Sequence, residues 1–368
     1  MGEVSAFSDD YVTARQRLLQ TASSHGWSID SHSIGIAGPN GEELKFDVIC
    51  SPGGGWENAI VLSSGIHGVE GFFGSAVQLS LLNDWTAHSM PDIRYVFLHA
   101  VNPYGFAWIR RFDENNVDLN RNFLLRNEQY ANSPVGYSEL DSLLNPKRPP
   151  SRLEPFALKA LWEISRHGMP ALKQAIASGQ YEYPQGLFFG GFVPSKMQEV
   201  LSESLKRLLN GVQRVVHLDF HTGLGSMGAF KLLIDYPLNE RQRNQLTDLF
   251  GMNSFENCSS AGIAYDASGG FGRWCVSQSF VPDYIFGCAE YGTYSPIKIL
   301  GGLRAENQSH HWGAPSAAST KRAKRRLKEL FCPSSLSWRS RVMEHSIQLV
   351  TQAARELDKL TPPPFQAS

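Results

Sequence analysis

The segment Ser64-Gly65-Ile66-His67-Gly68-Val69-Glu70-Gly71 constrains the fold of this 368-residue chain more than any other. Before it, Ala59-Ile60-Val61-Leu62 is short, apolar and partly β-branched, the mark of a buried strand; after it, Phe72, Phe73, Ala76, Val77, Leu79 and Leu82 recur at roughly helical spacing. A strand therefore turns into a helix here, and the turn carries two side chains able to hold zinc, His67 and Glu70. Glycines 65, 68 and 71 let backbone approach an ion with no Cβ in the way. A catalytic zinc takes three protein ligands and keeps a position for water, so the pair needs a partner. An isolated His-x-x-Glu is more often a surface ion pair, and the case rests on the rest of the chain.

The segment Gly211–Gly223 reads as a second strand, with His221 at its carboxyl end just before a glycine turn. In open α/β sheets the working crevice lies outside the carboxyl ends of the strands. His217, Asp219 and His221 share one face by the period-two rule, so only some of them can be ligands. His221 is the candidate third ligand, Asp219 an orienter of an imidazole, and His217 a core residue. A third strand, Pro282–Gly292, places Glu290 near its end. A carboxylate is costly to bury unless it is paired or used. Set beside three candidate ligands at equivalent strand ends, Glu290 becomes the candidate general base that takes a proton from a water and later gives it to a leaving group.

Between the first two ligand positions lies a polar segment holding Asn102-Pro103, Arg110-Arg111 and Asn116-Val117-Asp118-Leu119-Asn120-Arg121-Asn122. It has no helical period and reads as a long loop after the strand 93–100, a common location for function. Arginine grips carboxylates by paired hydrogen bonds and stays charged at any working pH. Taken alone, the segment would read as an ordinary solvated loop.

Taken together, His67-x-x-Glu70, Asn102-Pro103, Arg111, Asp118-Leu119-Asn120-Arg121-Asn122, Asp219-x-His221 and Glu290 follow the motif order of the zinc carboxypeptidase superfamily. The chain resembles its uncharacterised bacterial branch and, more distantly, the aspartoacylase and succinylglutamate desuccinylase branch. The resemblance spans roughly residues 58–295. It implies one zinc ion (Zn2+) on His67, Glu70 and His221, with Glu290 as base and then acid. Arg111 would stabilise an oxyanion, and Asn120 and Arg121 would bind a substrate carboxylate. Such sites often include a tyrosine; Tyr236, Tyr265 and Tyr284 all precede Glu290, and no spacing chooses among them.

With 42% hydrophobic and 19% charged residues the chain can bury a large core. One domain over residues 1–368 is expected, with a core of about 45–300, an N-terminal helix and hairpin, and a C-terminal helical extension. The fold class is α/β, with a mixed, mostly parallel central sheet flanked by helices. A net charge of -1 provides no global field for nucleic acid or an anionic membrane, and no apolar run reaches transmembrane length. The N-terminus lacks the basic and apolar regions of a signal peptide. Five cysteines without a Cys-x-x-Cys pair fit reduced thiols and a cytoplasmic location. Nothing in the sequence specifies an oligomeric state.

Outside the motifs, helices are expected over about 7–26, 153–178, 194–210, 320–331 and 337–360, and a hairpin around Pro39-Asn40-Gly41 with Ile34, Ile36, Leu44 and Phe46 pairing across it. Tyr183–Gly191 is either a wall of a substrate cleft or core packing. The interval 226–289 reads as strands and one helix, with Ser268–Gly272 a mobile loop. The basic run 320–328 reads as a solvated helix face, and His310-His311 as an adjacent pair unsuited to one ion.

These features lead to a zinc-dependent metallopeptidase, cleaving an amide bond in a carboxypeptidase-like way on short peptides or peptide-like substrates with a free carboxylate. The alternatives are an N-acyl amino acid deacylase acting on an acylated amino acid, or an inactive binding protein that retains the metal. A second ion would have to draw on Asp219 or His217.

Overall fold

A computed structural model describes residues 4–85, 91, 93–151, 153–168, 178–257 and 268–360. In chain order the first elements are α1 (Tyr11–Ser24), β1 (Ser28–Ala37), β2 (Glu43–Cys50), β3 (Asn58–Ser64), α2 (Gly71–Asp84), β4 (Arg94–His99) and α3 (Pro103–Ala107). Then come α4 (Tyr137–Leu144), α5 (Phe156–His167), α6 (Lys196–Leu208), β5 (Arg214–Thr222), β6 (Phe230–Ile234), α7 (Glu240–Phe250) and β7 (Phe255–Asn257). The chain closes with α8 (Phe271–Ser277), β8 (Asp283–Tyr291), α9 (Pro296–Trp312), α10 (Ala318–Phe331) and α11 (Leu336–Asp358).

All seven residues of β3 are buried, which is what a parallel strand covered on both faces requires. It lies inside an eight-stranded mixed sheet of order β1-β2-β4-β3-β5-β8-β6-β7. The strands β4, β3, β5 and β8 run parallel as neighbours, while β2 and β6 join them antiparallel on either side. Alternation along β5 separates two faces. Phe220 meets Phe73 of α2 edge-on at 6.1 Å, whereas His217 meets Phe271 of α8 at 5.5 Å, so these helices cover opposite faces. The helix α11 packs on α2, β3 and β5. No helix among the described residues is long and apolar enough to cross a membrane.

The periphery departs from expectation in several places. The first helix begins only at Tyr11, where the Asp10 carboxylate accepts from Thr13 N and caps it. The β1–β2 hairpin forms, but an irregularity between Ser33 and Ala37 interrupts the pairing around Ile34 and Ile36. The 102–123 segment is not pure loop: α3 starts at Pro103 behind the Asn102 cap, and a 3-10 turn spans Leu119–Arg121. Of the helix expected over 153–178, α5 accounts for Phe156–His167, and 169–177 lie outside the described residues. Ser268–Gly272 is not a free loop, because Gly269 O accepts from Phe123 N and Phe271 opens α8; the described residues of the 226–289 interval therefore hold two helices, α7 and α8. The basic run forms α10, yet Lys324 and Lys328 turn inward, Lys324 onto Glu306 at 2.9 Å and Lys328 over the Phe72 ring. Leu187, Phe188 and Phe189 are buried, which makes Tyr183–Gly191 largely core.

The turn after β3 is shaped by close approach. Gly65 takes φ +67°, and a Cβ on Gly68 would lie 2.1 Å from the Gly105 carbonyl carbon. Backbone bonds from Gly68 N to Arg111 O (3.2 Å) and from Val69 N to Arg110 O (2.7 Å) tie this turn to the polar segment. Because the clash at Gly68 is with backbone, Gly68→Ala should destabilise the protein by about 1–3 kcal/mol, as a shift of the urea midpoint. An unchanged midpoint would show that the turn yields freely.

Candidate metal centre and active site

Three side chains converge beyond the carboxyl ends of β3 and β5. Glu70 Oε1 lies 3.0 Å from His67 Nδ1, Glu70 Oε2 lies 3.0 Å from His221 Nδ1, and the two Nδ1 atoms are 3.2 Å apart. All three residues are buried. The 3-10 turn Gly68–Glu70 carries Glu70 back toward the strand ends, where Thr222 N donates to its Oε2 at 3.1 Å. Two imidazole nitrogens and a carboxylate form a donor set used by catalytic zinc.

The outer nitrogens of both imidazoles bear on that fit. His221 Nε2 donates to Asp219 Oδ2 at 2.6 Å, the arrangement that would free the Nδ1 lone pair for a bound cation. Asp219 is itself held by Ser63 Oγ at 2.6 Å. For His67, Asp118 Oδ1 stands 3.3 Å from Nε2 and serves the same tautomer. Arg111 Nη2, at 2.6 Å from that nitrogen, can only donate and serves the opposite one. His67 thus has a partner in either form. Three buried carboxylates, Glu70, Asp118 and Asp219, face buried Arg111 and the two imidazoles, with the Glu290 carboxyl beside them. Such a surplus of anionic groups suits a bound cation. The residues present therefore fit a divalent metal.

Burial raises the Glu70 pKa, but the charges of His67 and His221 win and hold it well below the usual carboxylate range. Asp118 behaves alike: burial opposes ionisation, and Arg111 and His67 overcome it. In His221 burial favours the neutral ring, yet Cys288, Asp219 and Glu70 together lift its pKa well above the ordinary value. Burial and the neighbouring Glu70 charge push Glu290 up to about 8. Burial takes His217 down to about 3, and its ring lies between Ser63 Oγ and the Tyr284 hydroxyl, each at 2.8 Å.

Glu290 is the register partner of His221 across β5 and β8. His221, Cys288 and Glu290 offer atoms within 4.8 Å of one another, and Leu224 N donates to Glu290 Oε1 at 2.8 Å. Arg111 lies 3.7 Å from Glu70 and binds Asp118 Oδ2 through Nε at 2.8 Å. The structure thus brings together His67, Glu70, His221, Glu290 and Arg111. Asn120 and Arg121 sit one step further along the loop. Asn120 Oδ1 accepts from Phe271 N at 2.9 Å, so that side chain fastens α8. Arg121 is buried, and its Nη1 donates to Asn120 O at 2.5 Å.

Two contributors carried no assigned role in the sequence. Asp118 touches both His67 and Arg111; its only signal was membership of the Asp-Leu-Asn-Arg-Asn string. Phe188 lies 5.3 Å beneath the Arg111 guanidinium with φ +58°, and nothing in Phe-Phe-Gly-Gly announces it. Two candidate tyrosines are committed to the core, Tyr236 to the Phe286 backbone and Tyr284 to His217. Tyr265 lies outside the described residues.

A mixed α/β sheet with a His–Glu–His cluster at its parallel strand ends defines a carboxypeptidase-like fold with a candidate metal site. Over residues 7–345 the sequence matches the family described as "Protein of unknown function (DUF2817)", and the chain belongs to that family. No curated protein matches. Among solved structures, thrombin activatable fibrinolysis inhibitor aligns with TM-score 0.50 and 11% identity, over 96% of this chain and 75% of that one. The bovine inhibitor in complex with tick carboxypeptidase inhibitor aligns with TM-score 0.53 and 11% identity, over 96% and 98%. The likeness is one of fold, and it agrees with the α/β architecture that the sequence resemblance implied.

Asp219 generates a test of the cation reading. Asp219→Asn removes the anion that fixes the His221 tautomer, and should weaken zinc affinity by about 10–100-fold in a chelator competition. Unaltered affinity would dissociate Asp219 from metal binding.

Proposed function

We propose that this protein is a metal-dependent hydrolase, most specifically a zinc carboxypeptidase-like enzyme that cleaves an amide bond in short peptides or peptide-like substrates ending in a free carboxylate. The carrying observation is the convergence of His67, Glu70 and His221, with Glu290 on the adjacent strand in register with His221. When bound, one zinc ion on those three side chains would supply a Lewis acid and acidify water.

Glu290 is placed to take the proton of the attacking water. Its burial and the Glu70 charge raise its affinity for that proton, which suits it as the base, and it then passes the proton to the departing nitrogen. Arg111, held by Asp118 and packed over Phe188, donates hydrogen bonds to the oxyanion that forms on the substrate carbonyl. Arg121, with Asn120 positioning the loop against α8, binds the terminal carboxylate. A cytoplasmic location belongs to this reading and is supported by the free thiols of Cys50, Cys275, Cys288 and Cys332.

A panel of dipeptides, their C-terminal amides and N-acyl amino acids, assayed with zinc-loaded protein, tests the reading. Wild type should hydrolyse the free-acid dipeptides; Glu290→Gln should lose turnover by at least about 100-fold while keeping its zinc. Arg121→Ala should raise KM for the free acids and leave the amides unaffected. Turnover of N-acyl amino acids alone would move the enzyme to the deacylases, and turnover by Glu290→Gln at the wild-type rate would remove the base.

A further inference from the structure

The loop that carries Arg111 and Asp118 also walls a second cavity, of about 450 Å3, whose lining includes none of His67, Glu70, His221 or Glu290. Its apolar wall includes Ile34 of β1, Val117, Phe189 and Met197 of α6, and at its edge Phe192 and Val193 are 58% and 67% exposed. The volume falls within the range of small-molecule pockets.

The rest of the lining is polar, with Asn102, Asn115, Asn122 and Ser195 beside Glu114 and Lys196, and within it stands one buried carboxyl group, Asp113. Asp113 is 5% exposed, and its Oδ1 accepts from Asn115 N at 2.9 Å and Val117 N at 2.7 Å. No donor among the described residues binds its Oδ2, which still reaches solvent, and no cation there forms an ion pair with Asp113 or the adjacent Glu114. His32, also in the wall, is turned to Asp30, and Lys196 is exposed. Burial, with the Glu114 charge beside it, pushes the Asp113 carboxyl up to about 7. Shaping the local turn needs Oδ1 alone. The turn accounts for neither the second oxygen nor the exposed apolar pair at the cavity edge.

We propose that this cavity binds a small apolar primary amine, its ammonium group on Asp113 Oδ2 and its apolar body against Phe192 and Met197. An ammonium offers Oδ2 a charged donor in place of solvent, opposite a carboxylate that forms no direct ion pair, and a hydrocarbon body removes the exposed apolar surface from water. The site is separate from the candidate metal centre and does not depend on its chemistry.

Calorimetric titration with 2-phenylethylamine, and with 2-phenylethanol as the neutral control, tests it on the full-length protein. The amine should bind saturably at one site, about tenfold or more tighter than the alcohol. Asp113→Asn keeps the Oδ1 acceptor and should bring the amine down to the level of the alcohol. Phe192→Ala, at an exposed position that does not threaten folding, should weaken both probes. Glu290→Gln should bind the amine as wild type does. Absence of saturable binding, equal affinity for the two probes, or indifference to Phe192→Ala would overturn the proposal. Loss of binding in Glu290→Gln would place the amine at the metal centre and overturn it as well.

Discussion

Three parallel strands kept in step set the position of the candidate metal ligands and of Glu290. Ser64 of β3 stands opposite Phe220 of β5, and His221 of β5 stands opposite Glu290 of β8. Parallel pairing sends all three carboxyl ends to one edge of the sheet, so side chains distant in sequence meet without a long loop to hold them. A slip of one residue between β5 and β8 would turn the Glu290 side chain to the opposite face and leave His221 without its neighbour.

The polar segment is bound to those strand ends by a buried ionic cluster. Arg110 is fully buried, with Nε 2.9 Å from Glu306 Oε1 and Nη2 2.8 Å from Asn116, while Lys324 reaches Glu306 from α10. Such a cluster adds little net stability, but removing one member strands a charge at a cost of about 3–5 kcal/mol. Its function here is positional. The Arg110 and Arg111 carbonyls accept from the turn that carries His67 and Glu70, so fixing Arg110 fixes where Arg111 stands relative to the ligands. Asp118 completes the link by touching both His67 and Arg111.

The parts legible in the sequence are those governed by periodicity and strand ends. Apolar runs closed by glycine mark β3, β5 and β8, and alternation separates His221 from Val216, Leu218 and Phe220. Side chains whose position depends on how a loop folds back left no such trace. Asn120 has the type and place of a carboxylate binder, but the sequence does not show that its side-chain Oδ1 accepts from Phe271 N, a contact 151 residues distant, which orients the amide. The paired glycines before Phe271 read as loop although they lead directly into α8, because glycine marks permissive backbone and not disorder. Lys324 and Lys328 carry charge like their exposed neighbours, but their four-residue spacing puts them on the side of α10 that meets Glu306 and Phe72.

The central claim is that His67, Glu70 and His221 together hold one divalent cation. Anomalous diffraction at the zinc edge from crystals of zinc-loaded protein tests it most directly. One dominant peak is expected within about 2.0–2.3 Å of His67 Nδ1, His221 Nδ1 and a Glu70 carboxylate oxygen. A peak elsewhere in the molecule, or none at these side chains under saturating zinc, would contradict it.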